Sequence, residues 1–407
     1  MTRPGAKTPF VAIACGGTGG HLFPGLAVAG ELKKRGCRTA LLISPKEIDQ
    51  QAVKGAGDME IFTLPAVGLQ NRNYISFAGS FVKSLFAARK IFRRCRPDAV
   101  LAMGGFTSAP PVLVAKDLGA KTFLHESNTI PGRANRFLAR FVDEAFVGFP
   151  ETAARLKVRK VATTGTPVRP EFSVGRDSVE PGLQQCRLAL GLEPSRPTVL
   201  VTGGSQGASG INEIILAALP LLTDQASNWQ WLHLTGSAQF EKVKQIYAEH
   251  GLKAIVHPFL AEMDLALGAA TLAISRAGAS SLAEIAAMRL PSLLIPFPAA
   301  ADNHQFHNAR AYAITGAARL IEQKQATPEG VAATLRELIG SETVRISMQT
   351  ALARWHAPKA AEQIAENILN AVFRSADSLC APSVQGVGSQ TGHVRTGEPK
   401  QEHVCAA

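Results

Sequence analysis

The sequence predicts an α/β protein made of two doubly wound parallel sheets that face one another across a cleft. Three observations predict it. Short apolar, β-rich runs alternate with helical stretches along nearly the whole chain. The alternation breaks near residue 170 and restarts near residue 198. Each half opens with an apolar strand that runs into a glycine-rich turn. Alternation at this spacing gives parallel strands covered on both faces. Glycine turns at strand carboxyl ends are where such sheets bind ligands. The length of 407 residues also exceeds one core at ~150 residues per domain.

In the first half, Val11–Cys15, Ala40–Ile43, Ala99–Met103, Thr122–His125 and Ala145–Val147 read as buried strands. Leu26–Arg35, Phe81–Arg94 and Ala134–Arg140 read as helices between them. Gly165, Pro167 and Pro170 then break regular structure, which sets expected domains of 8–167 and 168–351. Residues 173–197 are expected to be a loose approach to the second sheet. Its strands are Thr198–Thr202, Trp231–Leu234, Ala254–Val256, Leu272–Ser275, Ser292–Ile295 and Arg319–Ile321. Its helices include Ile211–Leu216, Ser281–Met288 and Asn308–Thr315. A last helical stretch covers 352–373. Residues 375–407, rich in Gly, Ser, Gln and Val without periodicity, read as a disordered tail.

The charge is one-sided. The chain carries 43 Lys/Arg and 32 Asp/Glu, a net +11. Residues 1–169 hold 25 of the basic and 11 of the acidic residues, so the excess lies entirely in the first half. An anionic partner there is expected. The stretch Tyr74–Pro97 sharpens this. Phe81, Leu85 and Phe92 recur at helical spacing, and Arg89, Arg93 and Arg94 crowd its end. That pattern fits a helix lying on an anionic phospholipid surface. It equally fits a helix packed on the sheet, its C-terminal dipole balanced by arginine. Nucleic acid is disfavoured, since 3 Trp and 3 Tyr offer few stacking platforms. No window reaches the ~18 apolar residues of a spanning helix, and the start lacks a secretory signal. Six scattered cysteines, with no Cys-x-x-Cys pair, fit a reducing cytoplasm rather than a disulfide scaffold.

Four glycine-bearing turns carry the chemistry. Cys15-Gly16-Gly17-Thr18-Gly19-Gly20-His21 and Gly203-Gly204-Ser205-Gln206-Gly207 follow the first strand of each half. Met103-Gly104-Gly105-Phe106 and Ser275-Arg276-Ala277-Gly278 follow later strands. Glycines here let the backbone approach a ligand and turn its N–H groups outward. A helix starting near Ser280 offers free N–H groups suited to phosphate. Polar clusters His125-Glu126-Ser127-Asn128 and Asp302-Asn303-His304-Gln305 also follow strands. The turns are neither dinucleotide fingerprints nor P-loops. No Asp-x-Asp and no His-Glu-x-x-His occurs, so no catalytic metal and no cofactor are expected.

In order along the chain, GGTGGHLFPGLAVA (16–29), MGGFTSAP (103–110), HESN (125–128), GTPVR (165–169), GGSQGA (203–208), SRAGASSLAE (275–284) and DNHQ (302–305) resemble the peptidoglycan N-acetylglucosaminyltransferase family that converts lipid I to lipid II. The resemblance spans about residues 10–373. It implies the GT-B glycosyltransferase architecture, with lipid I at the first domain and UDP-N-acetylglucosamine at the second. It places the protein at the cytoplasmic face of the inner membrane and returns the last helix to the first domain. Donor contacts carried over by the resemblance are Thr18, Gly19, Gly20, Asn128, Arg169, Ser205, Leu260, Ala279, Ser280, Ser281, Leu282, Ala283, Glu284 and Gln305. Glu284 would hold the ribose. His21 is then the candidate general base, with His125 and Glu126 as second candidates. A UDP-sugar epimerase, or a transferase acting on another lipid, remains the alternative.

Overall fold

The computed structural model describes residues 8–53, 57, 59–66, 74–173, 182–204, 207–226 and 228–380. Among them, two wholly parallel sheets form. The first holds β1 (Phe10–Ala14), β2 (Arg38–Ile43), β3 (Glu60–Thr63), β4 (Ala99–Ala102), β5 (Lys121–Glu126), β6 (Glu144–Val147) and β7 (Val161–Thr163). Their order is β3-β2-β1-β4-β5-β6-β7. The second holds β8 (Thr198–Thr202), β9 (Gln230–Leu234), β10 (Ala254–His257), β11 (Leu272–Ser275), β12 (Ser292–Leu294) and β13 (Arg319–Leu320), ordered β10-β9-β8-β11-β12-β13. In both sheets the order reverses beside the first strand, between β1 and β4 and between β8 and β11. A crevice opens at such a point, because the connections on its two sides leave for opposite faces.

The strands are apolar on both faces and sort their side chains by parity. On β1, Val11 and Ile13 join one buried cluster while Ala12 and Ala14 join another. On β8, Val199 and Val201 lie on one side and Leu200 on the other. The edge strands β3 and β7 carry no long apolar run, and the sequence pattern does not reveal them. Glu60–Thr63 is only partly covered, as an edge strand is, so burial leaves little imprint on its residues.

Three expectations need correction. The approach 173–197 is not loose where it is described: Leu183–Ala189 is a helix that buries Cys186 and Arg187. Arg187 donates to the carbonyls of Ala269 and Pro194 at 3.0 and 2.8 Å. The stretch 352–373 is not one helix. Glu342–Ala353 ends, and Ala360–Cys380 begins after a break containing Pro358, which lacks the N–H a continuous helix needs. That second helix runs to Cys380, six residues into the stretch expected to be irregular; 381–407 lie outside the described residues.

The helix Ala360–Cys380 packs Ile364, Ala365, Ile368 and Leu369 into the same cluster as Val11 and Ile13 of the first sheet. Arg35 pairs with Glu362 at 3.3 Å and Glu366 at 3.7 Å to fix it. The chain therefore crosses between the sheets twice, and the crossings touch. Gly165 has φ +79°, and a β-carbon there would stand 2.3 Å from Ala357. Beside them Trp355 stacks on Tyr312 at 4.3 Å, with Phe149 5.5 Å from its ring.

Candidate active site

The helix Gly19–Lys34 starts one residue after Thr18, earlier than the glycines suggested. It contains Pro24. Proline has no N–H, so the carbonyl of Gly20, four residues back, loses its helical partner. Ser280 Oγ of the other half donates to that carbonyl at 3.0 Å. A defect in one helix thus becomes a contact between the two halves.

His21 lies on this first turn. Its Nδ1 is 3.1 Å from Thr18 Oγ1, and its ring rests on the turn after β4. A β-carbon on Gly104 (φ +105°) would fall 2.9 Å from His21 Nε2. Only glycine leaves room for the ring there. Thr107 Oγ1 donates to Gly16 O at 2.7 Å, which ties the two turns at the switch point. Burial pushes the His21 imidazole down to about 4; Asp49 opposes this, and the neighbouring His304 and Lys46 add to it. The ring is therefore neutral near pH 7, rather than poised around its ordinary 6.5.

His125 and Glu126 lie nearby but are committed to the interior. His125 is fully buried; Nε2 donates to Gly165 O at 3.1 Å, and Nδ1 accepts from Ser127 Oγ at 3.2 Å. Glu126 accepts from Asn128 N and Nδ2 on one oxygen and from Gly132 N and Asn135 Nδ2 on the other, all within 3.0 Å. Neither has a lone pair free for an acceptor hydroxyl, and both hold the loop that follows β5.

In the second half, Ala279–Ala287 starts after Gly278 with no side-chain cap, so its first N–H groups are open. Ala279 and Leu282 point their side chains into the core and offer backbone alone. The turn before this helix is braced from behind. Arg276 Nη1 donates to Ile295 O and Pro296 O at 3.0 and 3.1 Å, and burial lowers this guanidinium to about 10. Gln305 Oε1 accepts from Ala277 N and Phe297 N at 3.2 and 3.0 Å. Glu284 receives Arg169 Nε at 3.2 Å. Burial raises the Glu284 carboxyl, with Arg169 opposing. Arg169 is also sandwiched between Phe23 and Phe172 at 5.0 and 4.8 Å. Leu260 packs on the edge of the second core. Ser205 lies outside the described residues.

Asn308 closes the seam and was invisible to sequence reasoning. Fully buried, it accepts from Thr129 N and Oγ1 at 2.9 Å each. It donates to Asn128 Oδ1 at 3.0 Å and Ala277 O at 3.1 Å. One amide thus joins both halves with every capacity used. Arg136 pairs with Asp302 at 2.6 Å across the same seam.

The basic helix, observed as Tyr74–Arg94, needs a correction. Phe81 and Leu85 pack against the first core, and Arg89 pairs with Asp117 at 2.8 Å. The exposed apolar residues are Ile75, Val82 and Phe86, alongside exposed Arg93 and Arg94. Among the described residues, no helix is long and apolar enough to cross a membrane.

Two Rossmann-like halves with backbone turns beside both switch points define the GT-B architecture. Residues 11–147 match the glycosyltransferase family 28 N-terminal domain, and residues 198–364 match the family's C-terminal domain. An Anaeromyxobacter protein named UDP-N-acetylglucosamine–N-acetylmuramyl-(pentapeptide) pyrophosphoryl-undecaprenol N-acetylglucosamine transferase is 37% identical over 87% of this chain and 91% of its own. A Listeria monocytogenes protein of the same name is 36% identical over 88% and 99%. The crystal structure of Acinetobacter baumannii MurG superposes with a TM-score of 0.70 at 26% identity, covering 89% of this chain and all of that one. A UDP-GlcNAc 2-epimerase from Neisseria meningitidis reaches 0.67 at 14% identity over 89% of this chain and all of its own, a likeness of fold alone. The chain belongs to glycosyltransferase family 28, among the UDP-N-acetylglucosamine–N-acetylmuramyl-(pentapeptide) pyrophosphoryl-undecaprenol N-acetylglucosamine transferases.

Proposed function

We propose that this protein transfers N-acetylglucosamine from UDP-N-acetylglucosamine to the 4-hydroxyl of the muramoyl sugar of lipid I, with inversion to a β-1,4 link, and so forms lipid II. One observation carries the reading. The first-half turn bearing His21 meets the open N-terminus of Ala279–Ala287 across the cleft, through Ser280 and Gly20. A base and an anion site thus face each other, as a displacement of UDP by a hydroxyl needs.

The donor diphosphate lies at the N–H groups of Ala279, Ser280 and Ser281 and near Thr18, Gly19 and Gly20. Fixed amides stabilise the leaving charge without reorganising. Glu284 takes the ribose hydroxyls and exchanges its contact with Arg169, which turns its charge toward the phosphates. Asn128, Leu260, Ala283 and Gln305 complete the donor cradle. His21, its imidazole held neutral by burial, accepts the hydroxyl proton. The arriving diphosphate raises its proton affinity, because a nearby negative charge favours imidazolium. The acceptor approaches along the basic first half, with the protein held on the cytoplasmic face of the inner membrane by Ile75, Val82, Phe86, Arg93 and Arg94.

Incubation with UDP-N-acetylglucosamine and a short-chain lipid I analogue tests this. The expected product is the disaccharide lipid plus UDP. UDP-N-acetylmannosamine from UDP-N-acetylglucosamine alone would instead indicate an epimerase, which needs no acceptor.

A further inference from the structure

The turn after β1 is clamped by a buried charge that the reaction scheme above does not use. Asp49, on the short helix Glu47–Ala52, is fully buried. Its Oδ2 accepts from Gly17 N at 2.6 Å, Ser44 N at 3.1 Å and Ser44 Oγ at 2.5 Å. Its Oδ1 is buried without a partner. Lys46 Nζ donates to Gly17 O at 3.0 Å, and Thr107 holds Gly16 O. The Gly16–Gly17 backbone is thereby fixed on both sides, and with it Thr18, whose carbonyl receives His21 N at 3.1 Å.

Hydrogen bonding alone does not require a charge here. A neutral amide could accept from Gly17 and Ser44. A buried carboxylate with one oxygen unpaired is unfavourable for folding. The negative charge has one other effect: Asp49 holds Gly17 N at 2.6 Å and the next residue, Thr18, meets His21 Nδ1 at 3.1 Å, so the carboxylate sits one turn residue from the ring's partner and opposes the burial that keeps the ring neutral. We propose that Asp49 is a positioning residue for transfer: its carboxylate sets the glycine turn and favours proton uptake by His21 as the acceptor hydroxyl attacks. In that step the hydroxyl O–H bond breaks as its oxygen bonds the sugar carbon, and the proton passes to His21. The bond from sugar to diphosphate breaks, and its electrons leave with UDP. Asp49 stabilises the imidazolium through its field.

The inference rests on the reading of His21 as base. The groups facing His21 are Asp49 and Lys46 from its own half, His304 from the other, and His125 behind it. Cys15 lies beside Asp49, its thiol pushed up chiefly by burial.

The test is Asp49→Asn in the full-length enzyme, with kcat, donor KM and the pH dependence of kcat measured together. We expect kcat to fall about 10–100-fold, the scale of a misplaced or weakened catalytic group. Donor KM should change less than kcat, because the amides of Ala279, Ser280 and Ser281 in the other half remain. The acidic limb of the kcat profile should move to lower pH, since a lost negative neighbour lowers imidazole proton affinity. Ser44→Ala loosens the same turn but keeps the charge, and should leave the limb in place. An unmoved limb in Asp49→Asn, or an equal shift in Ser44→Ala, overturns the proposal. So does an undiminished effect of Asp49→Asn in a His21→Ala background. Should Asp49→Asn fail to fold, Lys46→Met supplies the opposite perturbation and should raise the limb; an unmoved limb there overturns the proposal equally. Full activity of His21→Ala alone would instead sink the base assignment, and so separates the two failures.

Discussion

The two halves of the cleft solve one problem differently. Each presents a backbone turn at a strand's carboxyl end beside the point where strand order reverses, after β1 in the first half and after β11 in the second, and each turn is held from behind by side chains. In the first half two of the holders are charged, Asp49 gripping Gly17 N and Lys46 gripping Gly17 O, while Thr107 holds Gly16 O. In the second half, Gln305 and Asn308 brace the turn with neutral amides, and Arg276 spends its charge on backbone carbonyls. Charged holders create a field that acts on a titrating group, and His21 sits in it. Amide holders fix geometry and leave the electrostatics to the open N–H groups. The proposed mechanism uses this difference, with proton transfer in the first half and anion binding in the second.

The sharpest way to break that division is His21→Ala. Loss of a general base costs ~10²–10⁴-fold in rate, so kcat should fall by that much while UDP affinity by calorimetry stays near normal. A weakened Kd with kcat intact would move His21 to the donor side. Glu284→Ala should do the converse. Hydrogen bonds to a charged partner are each worth ~1.5–3 kcal/mol, so donor Kd should rise roughly 10–100-fold while kcat at saturating donor changes less. If kcat fell and Kd held, the second half would be doing chemistry.

Acid should strike both halves through buried histidines. His125 in the first half is held down to about 4 and His233 in the second to about 3, both chiefly by burial. Their folded values lie below the ordinary 6.5, so the unfolded chain binds more protons. Their stabilisation is present above pH ~6.5 and is lost as pH falls toward those folded values. Each contributes roughly 1.4 kcal/mol per pH unit in that window. Denaturant melts at pH 7 and 5.5 should show the loss, and His233→Asn should reduce the slope; a flat stability profile would contradict the burial.

Asn308→Ala leaves Thr129 N–H and the Ala277 carbonyl buried without their shared partner. An unmet buried group costs ~1–3 kcal/mol, so the thermal midpoint should drop by several degrees. Donor-induced stabilisation should also shrink, because the seam no longer sets the cleft. A midpoint loss with normal donor stabilisation would restrict Asn308 to folding. The smallest effect is expected at the membrane. Replacing Arg93 and Arg94 with Gln removes ~1 kcal/mol per residue of attraction to anionic vesicles, screened by salt. Arg89→Gln should matter less, because Arg89 already pairs with Asp117; cosedimentation at low and high salt distinguishes them.

By itself the sequence determined the two-sheet architecture, the location of the turns and the family. These follow from local signals: apolar runs long enough to be buried strands, glycines where a strand must turn at once into a helix, and motifs read in order. It could not place β3 and β7, whose half-covered edges leave no periodic trace, nor the break at Pro358 within an otherwise helical pattern. It named His125 and Glu126 as candidates because strand-end polar residues face clefts; tertiary packing turned both inward and saturated them. Only the assembled fold could pair the Gly20 carbonyl with Ser280 or bring Asn308 to Thr129. The first pair is separated by 260 residues and the second by 179. Such contacts depend on how two sheets are set against each other, and no local pattern of residue types encodes that relation.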